Sequence, residues 1–129
     1  MHYVDSSALL KLVLAEPESA ALRERLQLVH TVSSTLLVTE MLRGARRSRP
    51  DGALDGQVDA ALAPVRMIAI DETIVRGAGT APPVGLRSLD AIHLATALRL
   101  TGRLYAFVCY DERLADAARA VGLRVEAPA

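Results

Sequence analysis

Four carboxylate side chains stand far apart along this chain of 129 residues, at Asp5, Glu40, Asp90 and Asp111. Gathered in one pocket, they would repel one another strongly, so the cluster would need a cation or bound protons. Ligation by oxygen alone, without pairs of histidines or cysteines, suits Mg²⁺ or Mn²⁺ and argues against zinc. If the fold brings these side chains together, the sequence predicts a divalent metal site.

The stretch 87–98 around Asp90 predicts a largely buried helix that ends near residue 101. Its apolar residues form a stripe at helical spacing, made of Ala91, Leu94, Ala95 and Leu98. Ser88 is the predicted N-cap, and Asp90 lies in the first turn, where the helix dipole favours an ionised carboxylate. For a lone acid, simple stabilisation of the helix N-terminus is the alternative to a functional role.

Hydrophobic periodicity and turn residues predict the remaining elements. The predicted strands are 2–5, 28–32, 65–70, 104–110 and 123–126. The other predicted helices are 6–15, 18–26, 35–47 (capped by Ser33 and Ser34), 53–62, a helix after the N-cap Asp71 through 78, and 113–121, with a loop at 79–85. Strands alternating with helices indicate the α/β class: one three-layer α/β/α domain over residues 1–129, with a small parallel sheet flanked by helices.

This architecture provides a place where the acids can meet. In an open parallel sheet, ligands bind beyond the carboxyl ends of the strands. Asp5 and Asp111 each close a predicted strand, and Asp90 begins a helix at the same rim. Glu40 lies on a half-buried helix face, with apolar residues one turn before it. We therefore expect all four acids near one edge of the sheet.

Composition excludes several classes of protein. The formal net charge is zero, so attraction of the whole molecule to nucleic acid or anionic lipid is not expected. Residues of the hydrophobic types make up 51%, enough for a core. The single cysteine, Cys109, excludes an internal disulfide, and no signal segment or membrane-spanning run is visible. We expect a cytoplasmic protein that does not associate with membranes.

The spacing of four motifs resembles that of a PIN domain, and within that family the VapC-type toxins of bacterial toxin–antitoxin pairs. The motifs are Val4-Asp5-Ser6-Ser7-Ala8-Leu9, Thr39-Glu40-Met41-Leu42-Arg43, Leu89-Asp90-Ala91-Ile92-His93-Leu94-Ala95-Thr96-Ala97 and Tyr110-Asp111-Glu112-Arg113-Leu114. Each motif alone is weak, but four in order form a fairly specific signal. The resemblance covers essentially the whole chain, including the ending Gly122-Leu123-Arg124-Val125.

The resemblance implies a Mg²⁺-dependent endoribonuclease whose catalytic residues are Asp5, Glu40, Asp90 and Asp111. Asp5 and Asp90 are the preferred direct metal ligands and Asp111 is a third candidate. Glu40 and Asp111 could ligate the ion directly, act through water or orient the nucleophile. The resemblance further implies products with a 5′-phosphate and a 3′-hydroxyl, a homodimer, and inhibition by a cognate VapB-like antitoxin bound near the acids. Helices 6–15 and 35–42 are candidate dimer and antitoxin surfaces, or plain core.

Several neighbouring residues have two possible roles each. Ser7 either hydrogen-bonds in the pocket or caps the following helix. Arg43 and Arg87 either contact substrate phosphate and support the acids, or form ordinary surface ion pairs. His93, one turn after Asp90, is expected in the core or behind the site, with no catalytic role. The basic run Arg46, Arg47 and Arg49 is expected to be a solvated helix end, with RNA contact as the second reading.

One residue departs from the pattern of the family. Members usually carry serine or threonine two positions before the last acid, where this chain has Cys109. A thiol is a poorer hydrogen-bonding group than a hydroxyl, so the alternative function is a PIN-fold binding module with weakened chemistry that acts through protein partners. A DNA nuclease stays open. A phosphoacceptor receiver is discounted, because Lys11 is the only lysine and lies early in the chain.

Overall fold

The computed structural model describes all residues from Met1 to Ala129 and contains five short parallel strands. The strands are β1 (His2–Val4), β2 (Thr31–Ser34), β3 (Arg66–Ile68), β4 (Ala106–Val108) and β5 (Val125–Glu126). They form one sheet in the order β3-β2-β1-β4-β5. The strand order reverses between β1 and its neighbour β4, and such a switch point is where open α/β sheets bind ligands.

Seven helices connect the strands. They are α1 (Ser6–Leu9), α2 (Ser19–Gln27), α3 (Leu36–Ser48), α4 (Asp55–Leu62), α5 (Glu72–Thr80), α6 (Ser88–Leu98) and α7 (Glu112–Ala120). A 3₁₀ turn, Leu10–Leu12, follows α1. None of the helices combines the length and apolar character needed to cross a membrane. The predicted three-layer α/β/α fold is confirmed.

Alternating side chains of the central strands build a core on each face of the sheet. Tyr3 and Phe107 pack with Leu94 of α6 and with α7 on one face. Val4 and Val108 lie on the other face, against α1, α2, α3 and α4. This two-residue alternation is what a strand buried on both faces requires. Because Val4 pairs with Val108 in the β1–β4 ladder, the residues that follow the two strands emerge side by side.

Three sequence predictions were wrong in detail. The helix predicted over 6–15 ends at Leu9 and continues as the 3₁₀ turn, because apolar spacing alone does not separate the two conformations. Ser33 and Ser34 were predicted as helix caps, but both lie in β2, and the Ser33 hydroxyl donates to the Val4 carbonyl (2.6 Å). Only Ser34 contacts the helix, where its Oγ accepts from the Leu36 amide at the start of α3 (3.2 Å). Ser88 was predicted as the N-cap of α6, but Arg87 occupies that position without a side-chain cap.

Other boundaries were predicted well. Asp71 is the N-cap of α5, as predicted, and its carboxylate accepts a hydrogen bond from the Ile74 amide (2.9 Å). Gly122 follows α7 with φ of +88°, a left-handed conformation that glycine adopts at low cost. The loop predicted from residue 79 begins after Thr80, since α5 continues to that residue.

Candidate active site

The four acids, carried by four different segments, line one pocket at the carboxyl edge of the sheet. Asp5 follows β1, Glu40 lies in α3, Asp90 in the first turn of α6, and Asp111 precedes α7. The pocket has a volume of about 360 Å³, and Ser7, Arg47 and Arg87 also line it. The fold therefore gathers these carboxylates at one edge of the sheet, as expected.

Asp5 is the most buried of the four acids, with 3% of its surface exposed. It is the N-cap of α1, and its Oδ1 accepts a hydrogen bond from the Ala8 amide (3.0 Å). The Cys109 thiol donates to its Oδ2 (3.3 Å). Burial raises the pKa of the Asp5 carboxyl above its ordinary value, and the hydrogen bonds oppose that rise only in part. The site therefore holds a carboxylate whose charge is costly.

Ser7 contacts the pocket and does not cap α1. Its hydroxyl donates to the Asp5 carboxylate, with Oγ 2.7 Å from Oδ1 and 2.8 Å from Oδ2. The same oxygen accepts a hydrogen bond from the backbone amide of Tyr110 (3.0 Å), which fixes the direction in which the hydroxyl points. Since Tyr110 follows β4, Ser7 joins the ends of two neighbouring strands at the base of the pocket.

Arg87 bridges two of the acids. Its Nε donates to Asp90 Oδ2 (3.0 Å) and its Nη2 to Asp111 Oδ2 (3.2 Å). The hydrogen bond to Asp90 and the nearby negative charges raise the pKa of the Arg87 guanidinium. Its side chain is nevertheless 66% exposed, so the guanidinium can leave these carboxylates without crossing the core. Asp111 is also the N-cap of α7, through the Leu114 amide (2.9 Å).

Glu40 is held by a residue to which sequence reasoning gave no catalytic role. His93 Nε2 lies 2.5 Å from Glu40 Oε1, and His93 Nδ1 lies 2.7 Å from the Tyr3 hydroxyl. That hydroxyl also accepts a hydrogen bond from the Ser34 amide (3.2 Å). His93 lies buried behind the pocket, as expected, three residues after Asp90 on α6, but the sequence carried no signal for its contact with Glu40.

The arginines of α3 divide into paired and unpaired ones. Arg46 pairs with Asp55, and Arg49 with Asp51 at 3.1 Å. Arg43 and Arg47 form no ion pair. Arg47 lines the acidic pocket, and both arginines line an adjoining cavity of about 510 Å³ on α3 and α4. Positive charge without a partner therefore lies directly beside the acids.

The donor atoms suit a hard divalent cation, but the side chains are not arranged as a metal centre. No group of three or more His, Cys, Asp or Glu side chains has an arrangement that could hold a metal ion. Arg87 pairs with Asp90 and Asp111, and His93 pairs with Glu40. All four acidic residues nevertheless line one pocket, and oxygen is the ligand that Mg²⁺ and Mn²⁺ prefer. The types of donor atom thus fit such an ion, whereas the present positions of the side chains do not form a site for one.

The fold and the site define a five-stranded parallel α/β domain with four acids in one pocket at the carboxyl edge of its sheet. Within this class the chain belongs to the PIN domain family, whose sequence pattern matches residues 2–120. It is 42% identical to Ribonuclease VapC46 of Mycobacterium tuberculosis (strain ATCC 25618 / H37Rv), over 98% of this chain and 96% of the relative. Ribonuclease VapC47 of Mycobacterium tuberculosis (strain CDC 1551 / Oshkosh) is 39% identical, over 99% and 97%.

Solved structures show the same fold. VapC20 of Mycobacterium tuberculosis, described as a toxin that cleaves the sarcin–ricin loop, superposes with a TM-score of 0.75 at 16% identity, over the whole of both chains. A toxin–antitoxin complex from Klebsiella pneumoniae gives a TM-score of 0.73 at 20% identity, over 100% of this chain and 98% of that one. The predicted membership of the PIN family and the resemblance to VapC proteins are confirmed.

Proposed function

We propose that this protein is a VapC-type toxin, a metal-dependent endoribonuclease that hydrolyses RNA phosphodiesters at the acidic pocket. The observation that supports the proposal best is the meeting of Asp5, Glu40, Asp90 and Asp111 in one cavity. Buried or paired acids serve structure in many proteins, but four of them at a sheet switch point suit a phosphodiester-cleaving site. The relatives named as VapC ribonucleases are similar over the whole chain.

Each acid has its own part in the proposed mechanism. Asp5 and Asp90 would hold Mg²⁺ or Mn²⁺, with Asp111 as a third ligand, and Glu40 would orient the attacking water. When bound, such an ion acidifies a water and offsets charge on the phosphate. Ser7 keeps the Asp5 carboxylate in a fixed orientation. Arg87 is exposed enough to exchange its carboxylate partners for a phosphate oxygen of the substrate.

The helix ends and arginines around the pocket add positive charge to it. Asp90 lies in the first turn of α6 and Asp111 caps α7, so the positive ends of two helix dipoles point toward the acids. Arg43 and Arg47 bring further positive charge beside them. These features reduce the repulsion that an RNA backbone would meet on approaching four carboxylates.

Cleavage of RNA by the purified chain tests this proposal. We expect cleavage in Mg²⁺ or Mn²⁺, none in EDTA, and 5′-phosphate ends on the products. Asp90→Asn should reduce cleavage to the background level. Asp116→Asn, purified in the same way, is the matched control, since Asp116 pairs with Arg119 (3.1 Å) on α7 and does not line the pocket. Equal cleavage by both variants, or none by the wild type, would favour a binding module without chemistry.

The proposal extends to partners and location. The matched structures include a toxin–antitoxin complex, which supports a cognate antitoxin as partner. We propose that this antitoxin covers the pocket and inhibits cleavage. A homodimer in the cytoplasm is proposed on the family resemblance. The helices proposed as contact surfaces bury Ala8, Leu9, Leu37 and Met41 in the core, so the partly exposed Val38 is the better candidate for a contact. Size-exclusion chromatography with light scattering measures the oligomeric state, and cleavage assays with the antitoxin measure inhibition.

A further inference from the structure

A buried imidazole lies between the acidic pocket and the interior of the sheet. His93 is 1% exposed and contacts Glu40 on one side and the Tyr3 hydroxyl on the other. Tyr3 is fully buried and also contacts the backbone amide of Ser34. Three hydrogen bonds thus run in series from a β2 backbone amide, through two side chains, to a carboxylate in the pocket.

The chemistry of the two ends fixes the direction of this series. A backbone N–H can only donate, so the Ser34 amide donates to the Tyr3 oxygen. An ionised carboxylate can only accept, so His93 Nε2 must carry a proton and donate it to Glu40. In a neutral imidazole Nδ1 is then an acceptor, and the Tyr3 hydroxyl donates to it. Whether the ring carries one proton or two, Nε2 donates to Glu40 and all three distances are those of hydrogen bonds.

From this geometry we infer that Tyr3 and His93 are positioning residues that hold the Glu40 carboxylate in its place in the pocket. The inference rests on the proposed nuclease function. Glu40 makes no hydrogen bond or ion pair other than the one to His93, and its side chain is 16% exposed. A glutamate has three rotatable side-chain bonds, and without this contact it would sample several rotamers.

The other three acids do not depend on this series of hydrogen bonds. Ser7, Cys109 and a backbone amide hold Asp5, while Arg87 holds Asp90 and Asp111. Removal of the Tyr3 hydroxyl should therefore disturb one catalytic acid and leave the rest in position. Phenylalanine at this position retains the ring that stacks on Phe107, with centroids 5.0 Å apart.

A double-mutant cycle on RNA cleavage tests the positioning role. Tyr3→Phe should lower kcat by about three- to tenfold with little change in KM, as when a group supporting an active-site ligand is removed. In the Glu40→Gln background, the same substitution should have no further effect under single-turnover conditions. Tyr105→Phe is the matched control, because Tyr105 lies just before β4, at the other end of the sheet, and does not line the pocket. An equal loss in both backgrounds would overturn the inference, since Tyr3 would then act through general folding.

A second pair of variants serves if Tyr3→Phe folds poorly or Glu40→Gln leaves no measurable rate. Glutamine at position 93 places an amide donor near the position of Nε2, whereas leucine fills similar space without a donor. We expect His93→Gln to retain severalfold more kcat than His93→Leu at equal thermal stability. Equal kcat for the two variants would show that His93 only fills volume.

The hydrogen-bond direction has a readout that needs no catalysis. The chain has three histidines, so the nitrogen resonances of ¹⁵N-labelled imidazoles can be assigned by comparison with His93→Gln. We expect Nε2 of His93 to carry a proton in the wild type. A ring protonated only at Nδ1 would overturn the inference. If the expected tautomer is found but no RNA is cleaved, the proposed function fails while the hydrogen-bonded series stands.

Discussion

Replacement of Asp5 by asparagine should abolish cleavage and yet make the metal-free protein more stable. Asp5 is buried, and burial raises the pKa of its carboxyl, so the folded protein holds a charge that the unfolded chain would solvate better. Asparagine removes the charge and keeps the shape. It can accept the Ala8 amide hydrogen bond, and asparagine is as good an N-cap as aspartate.

The size of the effect follows from two opposing contributions. Burial of a carboxylate costs several kcal/mol after relaxation of the protein, whereas hydrogen bonds to a charged group return roughly 1.5–3 kcal/mol each. The raised pKa shows that the cost exceeds the return. We therefore expect Asp5→Asn to raise the free energy of unfolding at pH 7.5 by on the order of 1–3 kcal/mol, and Tm by roughly 4–10 °C.

Urea denaturation in EDTA at several pH values measures this gain. The unfolded carboxyl titrates near its ordinary value of about 3.9. Because the pKa is raised in the folded protein, the Asp5 charge does not destabilise the fold below the pKa of the unfolded chain. The destabilisation grows as the pH rises from there toward the pKa of the folded protein, and it is complete above the folded pKa. The advantage of Asp5→Asn should thus be large at neutral pH and disappear near pH 3.5. A constant advantage, or a loss of stability at neutral pH, would refute the reasoning.

Asp71 provides a matched control because it is also an aspartate N-cap, with a similar distance to the capped amide (2.9 Å). It is exposed, and its hydrogen bonds to the Ile74 amide and to Arg99 lower the pKa of its carboxyl. Asp71→Asn should therefore lower stability slightly at neutral pH, opposite in sign to Asp5→Asn. Stabilisation by both substitutions would mean that the gain comes from the asparagine and not from the buried charge.

Two further predictions concern the surroundings of the pocket. Cys109→Ser should lower the Mg²⁺ concentration at half-maximal cleavage by about threefold or more. The reason is that a hydroxyl donates a stronger hydrogen bond to Asp5 than the thiol does at 3.3 Å. An unchanged Mg²⁺ titration would contradict this prediction. Arg47→Ala should raise KM for RNA and weaken its salt dependence with kcat unchanged, because Arg47 is an unpaired cation lining the pocket. Arg103→Ala is the control, because Arg103 is also unpaired but lies before β4, at the opposite end of the sheet. An equal rise in KM for both variants would show that the location of the charge does not matter.

The sequence predicted the sheet edge that carries the acids because strand ends are marked by composition. The apolar runs before Asp5 and Asp111 end at these acids, and in a parallel sheet both must emerge at the same rim. The acids therefore needed no long-range information to be placed on one edge. Long-range information is needed to predict which strands are neighbours, because the β1–β4 pairing joins segments about 100 residues apart.

The contacts that support the acids could not be predicted in the same way. Ser33 and Ser34 have the composition of helix caps, but hydrogen bonds to Val4 and Leu36 satisfy their hydroxyls and allow them to lie in a buried strand. His93 was expected to have no catalytic role, since a histidine on an apolar helix gives no sign of its partner. Its contact with Glu40 depends on how α6 crosses α3, and residue spacing does not define that crossing.

The four acids of the pocket differ in how firmly they are held, and this difference has a consequence for how the site works. Asp5 and Glu40 are fixed by donors that are themselves held by the sheet. Asp90 and Asp111 instead share the guanidinium of Arg87, which is mostly exposed. A phosphate that attracts Arg87 would release both carboxylates at once. In the proposed enzyme, the arrival of substrate and the freeing of two metal ligands are therefore one event, whereas Asp5 and Glu40 are ready beforehand.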